Sequence, residues 1–487
     1  MVLNVAAIID QPAAEAPDRS AVVVDEEVIT YGQLAEARDR AAAVLEGHGL
    51  QPGDRCAVVD GANLLSISSI LAVAWLGGAP TLMNPALKPT ELAALVELSG
   101  CVTIGIAGEL SKGAVESALG GRALGTEELV LGSGAGAHPQ RTSVVEPSEE
   151  NEAIVLFTSG TTGLPKPVPI THAVLSARIS NFAQPFSAES APTVGLMCVP
   201  LFHVGGSLSL LGSLYSGNTT VVQTRFDAGE WLALVERHRV VTTFLVPTML
   251  QRILDHPNFA TTDLSSLVAI AYGAAAAPVA LVRRAMAAMP HVAFANVFGQ
   301  TETLGAYTTL LPEDHFKPGR IGSVGKTLPG VELRVVDPVS GQDVPLGERG
   351  ELWVLSPQNV RPGWLHTGDL ARIDEEGYVF PVGRLSETIN RGGEKFGPIE
   401  VESVLREHPG VIDAAVFGVP DFEMGERVGA AAVTRVSISA DELRTWCRER
   451  IADYKVPDRF VFLEELPYSS TGKVNRRELI ELLQKSA

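Results

Sequence analysis

At 487 residues the chain is too long for one ordinary hydrophobic core, so two or more domains are expected. Its 46% hydrophobic and 20% charged content describes a folded protein and argues against disorder. A formal net charge of -19 excludes broad binding to nucleic acid or to an anionic membrane face, while leaving room for a local basic site. The four cysteines, Cys56, Cys101, Cys198 and Cys447, are widely spaced and form no C-x-x-C pair. Free buried thiols in a reducing compartment, the cytoplasm, are expected rather than disulfides or a metal knuckle. Asp10 comes early with no basic lead-in, so no secretory signal is expected.

In chain order, residues 61–87 carry no charge but are broken by Asn63, Ser66, Ser68, Ser69, Gly77, Gly78 and Pro80. That pattern predicts a buried helix followed by a strand rather than a membrane span. Residues 131–138, rich in Gly and Ala, read as a surface loop. The apolar run Ile154-Val155-Leu156-Phe157 predicts a strand that opens into Thr158-Ser159-Gly160-Thr161-Thr162-Gly163-Leu164-Pro165-Lys166. Glycines let backbone N–H groups approach a ligand closely, hydroxyls donate to phosphate oxygens, and Lys166 adds a positive charge. The segment therefore reads as a loop built to hold a polyphosphate. It is not a Walker A loop, because Lys166 stands between Pro165 and Pro167. Gly325-Lys326-Thr327 also fails that pattern, since Arg320 occupies the position of the first glycine.

Residues 240–246, 268–272 and 292–297 predict strands, with helices at 248–254 and at 278–289 behind Pro278. Such alternation implies βαβ units and a parallel sheet. Ligands of open parallel sheets sit at the carboxyl ends of strands. Here those ends carry Pro247, Gly273 and Phe298-Gly299-Gln300-Thr301-Glu302. Several polar loops should therefore converge on one crevice. Composition changes after about residue 383, and Gly383-Arg384-Leu385-Ser386 looks like a connection. Beyond it, strands near 412–419 and 429–436 and a helix at 440–451 capped by Ser439 predict a smaller domain.

The segment TSGTTGLPK closely resembles the phosphate loop of the AMP-forming acyl-adenylate family, which includes acyl- and aryl-CoA synthetases, firefly luciferase and peptide-synthetase adenylation domains. Further motifs extend the resemblance from Ile29-Thr30-Tyr31-Gly32 to Gly472-Lys473. It implies an α/β fold, with a large N-terminal domain of mixed and parallel sheets flanked by helices and a small mobile α+β C-terminal domain. The boundary would divide residues 1–383 from 384–487, with a hinge near Ser386.

The resemblance also implies roles for single residues. Thr158, Ser159, Gly160, Thr161, Thr162, Gly163 and Lys166 would cradle the phosphates of ATP. Phe298, Gly299, Thr301 and Glu302 resemble the family's aromatic-Gly-x-Thr-Glu signature, in which the Thr faces phosphate and the Glu binds Mg²⁺, a hard ion suited to carboxylate oxygen. Gly273, Ala274 and Ala275 would flank adenine. Asp369, in Trp364-Leu365-His366-Thr367-Gly368-Asp369, would accept the ribose hydroxyls from a strand end, with Arg384 beside the ribose and α-phosphate. Lys473 would bridge the substrate carboxylate and the α-phosphate. Gly392, Gly393 and Lys395 match the loop that admits CoA. His203, in Pro200-Leu201-Phe202-His203-Val204-Gly205-Gly206, matches a wall of the acid pocket.

The expected reaction joins a small carboxylic acid to ATP and then to CoA, releasing pyrophosphate. An aryl-acid adenylating enzyme that loads a separate carrier protein is the alternative. A hydrolase is demoted by the lack of a G-x-S-x-G elbow. Gly205, Gly206 and Gly305 hint at room for the acid, and no arginine marks a second carboxylate, so a monocarboxylic fatty or aromatic acid is expected. Three departures from the family pattern stand out: Pro167 replaces a glycine, Ser386 replaces an acidic or basic hinge residue, and Ala276 displaces a proline to Pro278.

Overall fold

The computed structural model describes residues 3–130, 144–158, 165–468 and 474–485. The Gly- and Ala-rich stretch 131–138 therefore lies outside the described residues, and so do Ser159, Gly160, Thr161, Thr162, Gly163 and Lys473.

Two large sheets make up most of the N-terminal part. In a nine-stranded sheet the predicted strands appear as Thr242–Leu245, Ala269–Gly273 and Ala293–Gln300, paired in parallel. Val194–Met197, Thr219–Val222 and Ser20–Val24 continue the parallel run, and antiparallel strands close both edges. The predicted helices occupy Pro247–Asp255 and Val279–Ala288. A proline opens each, at the first helical position or at the cap, where its missing N–H is not needed.

The strand predicted at 292–297 runs on to Gln300. It does so because it turns back through Thr301–Thr303 and pairs antiparallel with Gly305–Leu310. The Gly-Gln-Thr-Glu motif is thus the end of a β-hairpin rather than a free loop.

The second sheet has six strands. It carries Glu152–Thr158 next to Ala79–Leu82 in parallel and Lys166–Thr171 in antiparallel. Thr158 and Lys166 face each other in register, so the phosphate-type segment bridges two strands. The uncharged stretch 61–87 forms helix Leu64–Trp75 and strand Ala79–Leu82, as its pattern predicts. Asn63 caps that helix by accepting from Ser66 N at 3.0 Å. Among the described residues no helix is long and apolar enough to cross a membrane.

Helices Tyr31–Gly47 and Leu64–Trp75 fill the space between the sheets. Thr30 and Gln33 start the first one reciprocally, at 3.2 and 2.9 Å, a cap worth about 1 kcal/mol. The helices bury Tyr31, Leu34, Leu45, Ile67 and Leu71 against Val22, Leu82 and Ile154. Arg38 is wholly buried among them, yet it is held by Asp10 at 2.5 Å, Asp39 at 2.8 Å and the Ala6 carbonyl at 2.8 Å.

A four-stranded antiparallel sheet, Glu332–Val336, Gly350–Leu355, Leu365–Ile373 and Val379–Arg384, follows. Two expectations are corrected here. Asp369 lies inside a strand rather than at its end, because Gly368, at φ 70°, sits at a register shift and lets the strand continue. Gly383 and Arg384 belong to the last strand of this sheet, and the connection starts at Leu385–Glu387, a single 3-10 turn.

The C-terminal part is α+β. Strands Val411–Asp421 and Gly425–Thr434 form a long hairpin, and helix Ala440–Arg448 starts on Ser439 as predicted. The remaining strands there include the short hairpin Ile389–Arg391 and Glu394–Phe396. Its core, around Val401, Leu405, Val416, Val428 and Leu443, is distinct from those of the two large sheets. All four cysteines are free thiols.

Candidate active site

Strand ends from both large sheets and from the four-stranded sheet open into one cavity of about 1190 Å³. Thr158 and Lys166 line it from the hairpin mouth, Ala274 from the end of Ala269–Gly273, and Gly299 to Glu302 from the end of Ala293–Gln300. Thr367 and Arg384 line it from the four-stranded sheet, and His203, Gly205, Leu208 and Ser209 from the start of helix Val204–Tyr215. The sequence-predicted crevice is therefore present.

Local backbone geometry explains why these residue types stand there. A Cβ on Gly299 would lie 1.9 Å from the Gly305 carbonyl oxygen, so the hairpin crosses itself where only glycine fits. The crossing carries Thr301 and Glu302 into the cavity. The turn beyond it is tied by Thr303 Oγ1, which donates to the Gly305 carbonyl at 2.7 Å. Val360 N donates to the Glu302 carbonyl at 3.0 Å. Ala274 holds a left-handed φ of 65°, a strained conformation for a residue with a side chain, directly at the cavity wall.

Asp369 pairs across the sheet with Arg384, Oδ1 accepting from Nε at 2.9 Å. Asp369 is buried behind Arg384, and it is the arginine that reaches the lining. Its negative charge adds to burial in pushing the Tyr307 hydroxyl well above its ordinary pKa. Phe298 packs edge-on against Tyr307, ring centroids 5.3 Å apart, and stands aside from the lining. Gly273 is a close-approach position, since its Cβ would lie 2.1 Å from the Val297 carbonyl oxygen. Ala275 also stands aside from the lining.

Gly206 corrects an expectation of room in the pocket. A Cβ there would meet the Pro200 and Val199 carbonyl oxygens at 2.2 and 2.5 Å, so this glycine seats the helix on the preceding backbone. Gly205 and Gly305 do line the cavity.

Glu465, Leu466, Pro467 and Tyr468 form the C-terminal share of the wall, and they lead toward Lys473. Glu465 pairs with Arg252 of the N-terminal part. Gly392 and Gly393 form the turn of the short hairpin, at φ 62° and 96°, and Lys395 is exposed on its second strand. None of these three lines the cavity.

Sequence reasoning missed Arg178, which also lines the cavity. A weak signal was there: helix His172–Ser180 buries His172, Leu175 and Ile179, and Arg178 stands half-buried at the edge of that stripe.

The chain matches the AMP-binding enzyme family over residues 9–364, and the AMP-binding enzyme C-terminal domain over residues 400–473. It belongs to the AMP-forming acyl-adenylate family. A feruloyl-CoA synthase from Amycolatopsis is 32% identical over 485 residues, covering 96% of both chains. A fatty acid–[acyl-carrier-protein] ligase from Streptomyces coeruleorubidus is 30% identical over 493 residues, covering 96% of this chain and 94% of its own. O-succinylbenzoate coenzyme A synthetase from Bacillus subtilis, solved with ATP and magnesium ion, superposes with a TM-score of 0.85 at 29% identity. That match covers 97% of this chain and 98% of the synthetase. The adenylate-forming family thus accounts for the arrangement of sheets around the cavity, and the chain is an adenylate-forming ligase.

Proposed function

We propose that the chain activates a carboxylic acid with ATP as an acyl-adenylate and transfers the acyl group to CoA. The carrying observation is the convergence of Thr158, Lys166, Thr301, Glu302, Thr367 and Arg384 on one cavity, which His203, Val204, Gly205 and Leu208 also line.

A carboxylate and a triphosphate repel each other and must be brought together. Thr158 through Gly163 with Lys166 would hold the phosphates, with Thr301 beside them. Glu302 offers a hard carboxylate oxygen of the kind Mg²⁺ takes alongside phosphate oxygens and water, so this site fits the ion. The bound ion would supply charge neutralisation at the phosphates. Gly273, Ala274 and Ala275 would border adenine. Arg384 stands at the lining with Asp369 behind it, so Asp369 would take the ribose hydroxyls once the arginine moves aside, and His203 would orient the acid. Lys473 would bridge the acid and the α-phosphate. ATP–pyrophosphate exchange that depends on an added acid tests the first half-reaction. Without such exchange across a broad acid panel the reading fails.

For Lys473→Ala, exchange is expected to slow by at least about a hundredfold, the usual cost of removing one charge that stabilises a transition state. Near-normal exchange in that variant removes Lys473 from the role.

The two half-reactions would use different faces of the C-terminal part. We place the division after Arg384, in the turn holding Ser386, close to the 383/384 boundary read from composition. The wall leading to Lys473 faces the cavity, while Gly392, Gly393 and Lys395, the residues assigned to CoA, do not. Rotation at the turn would exchange them. Ser386→Pro is expected to impair thioester formation more than exchange, and equal loss of both counts against the hinge. CoA is the acceptor favoured here. The likeness to a carrier-protein ligase keeps the second acceptor in view, and thioester formation on CoA alone decides between them.

A further inference from the structure

The cavity contains a charge that the reaction above does not use. Arg178 lines it together with Phe182, Leu208 and Gly305. Its Nε is buried without a partner, and no acceptor among the described residues meets the guanidinium. The Phe182 ring, 5.1 Å away, is a close neighbour. A side chain at Gly305 would stand 3.7 Å from Nε and Nη2, so the glycine keeps that flank of the guanidinium clear. Across the hairpin Gln300 pairs in register with Gly305, and its Nε2 is a second buried donor without a partner in the same cavity.

Two other guanidiniums held in the interior are neutralised by carboxylates. Arg38 has Asp10 and Asp39, and Arg406 has Asp413 at 2.8 Å and Glu402 at 3.5 Å. Arg178 has no such carboxylate among the described residues. Burial alone lowers its pKa to about 10, so it remains charged at neutral pH. An unpaired cation in a desolvated wall is costly, and a ligand that brings the counter-charge relieves that cost. A planar guanidinium fork matches a carboxylate in two hydrogen bonds.

We infer that Arg178 is a specificity-determining residue that selects acids bearing a second carboxylate, remote from the one that is activated. The inference rests on the adenylating reading above and revises the monocarboxylic expectation from the sequence. The apolar neighbours Phe182 and Leu208 would accept the carbon skeleton between the two acid groups.

The test compares linear and aromatic diacids with their monomethyl esters, ester at the remote end, in acid-dependent pyrophosphate exchange. For the wild-type chain the preferred diacid should exceed its ester by at least about tenfold in kcat/KM, mainly through KM. In Arg178→Met that ratio should collapse toward one, and Arg178→Lys should retain part of it. Turnover of the ester by the same Arg178→Met preparation shows that its site is assembled. Equal use of diacid and ester by the wild type overturns the inference while leaving the adenylating reading in place. So does a fall of both substrates together in Arg178→Met, which marks a structural arginine. Exchange with no acid of any kind overturns both.

Discussion

Glu302→Gln is expected to lower acid-dependent pyrophosphate exchange by about two to three orders of magnitude while leaving the fold intact. The substitution keeps the size of the side chain and removes its charge. The turn that presents it is held by other groups, the Thr303 hydroxyl and the Val360 amide, so the backbone should not move. On the proposed reading it would remove one carboxylate oxygen for a divalent ion at the triphosphate, and removing a preorganised electrostatic group of this sort costs about 3–4 kcal/mol of barrier. Raising Mg²⁺ should recover part of the rate. Exchange within about threefold of wild type, with unchanged dependence on Mg²⁺, would remove Glu302 from this position in the reaction.

Gly299→Ala should damage both stability and rate. Its Cβ would meet backbone atoms, the Gly305 carbonyl oxygen at 1.9 Å and Ala306 Cα at 2.7 Å, and no side chain can swing aside to admit it. The hairpin must open, at a cost of about 1–3 kcal/mol or somewhat more. Because the displaced residues are Thr301 and Glu302, exchange should fall at least about tenfold in the fraction that remains folded. Gly113→Ala is the matching control, since a Cβ there meets nothing within 4 Å and its helix gains from alanine. Thermal midpoints and exchange rates for the pair decide the matter. A Gly299→Ala chain as stable and as fast as the control would show that the crossing relaxes freely.

Much of this was legible in the residues. The alternation of β-branched runs with proline-opened helices between 240 and 297 gave the parallel sheet, because buried parallel strands need continuous apolar runs. The convergence of strand ends followed from that topology. Other features depend on contacts that no local pattern encodes. The Gly-Asp dipeptide points to Asp369 closing a strand, yet Gly368 only bulges one that continues past Asp369, whose cross-strand partner is Arg384. Gly206 and Gly299 carry the same letter as Gly205, but those two are fixed by carbonyls brought close by the fold, whereas at Gly205 a Cβ would meet only side chains, the nearest at 3.4 Å. Arg178 was visible as a charge at the edge of a buried stripe. Its lack of a partner is a tertiary fact and could emerge only with the surrounding elements in place.

The ion pair between Arg252 and Glu465 carries one last implication. Both side chains are more than half exposed, and pairs of that kind contribute about 0–1 kcal/mol. Arg349 and Glu400 also meet across the junction, at 3.7 Å, and pairs this exposed would offer little resistance to the rotation proposed at the Ser386 turn. Such pairs weaken as dissolved salt rises, so on the proposed rotation turnover is expected to shift with ionic strength.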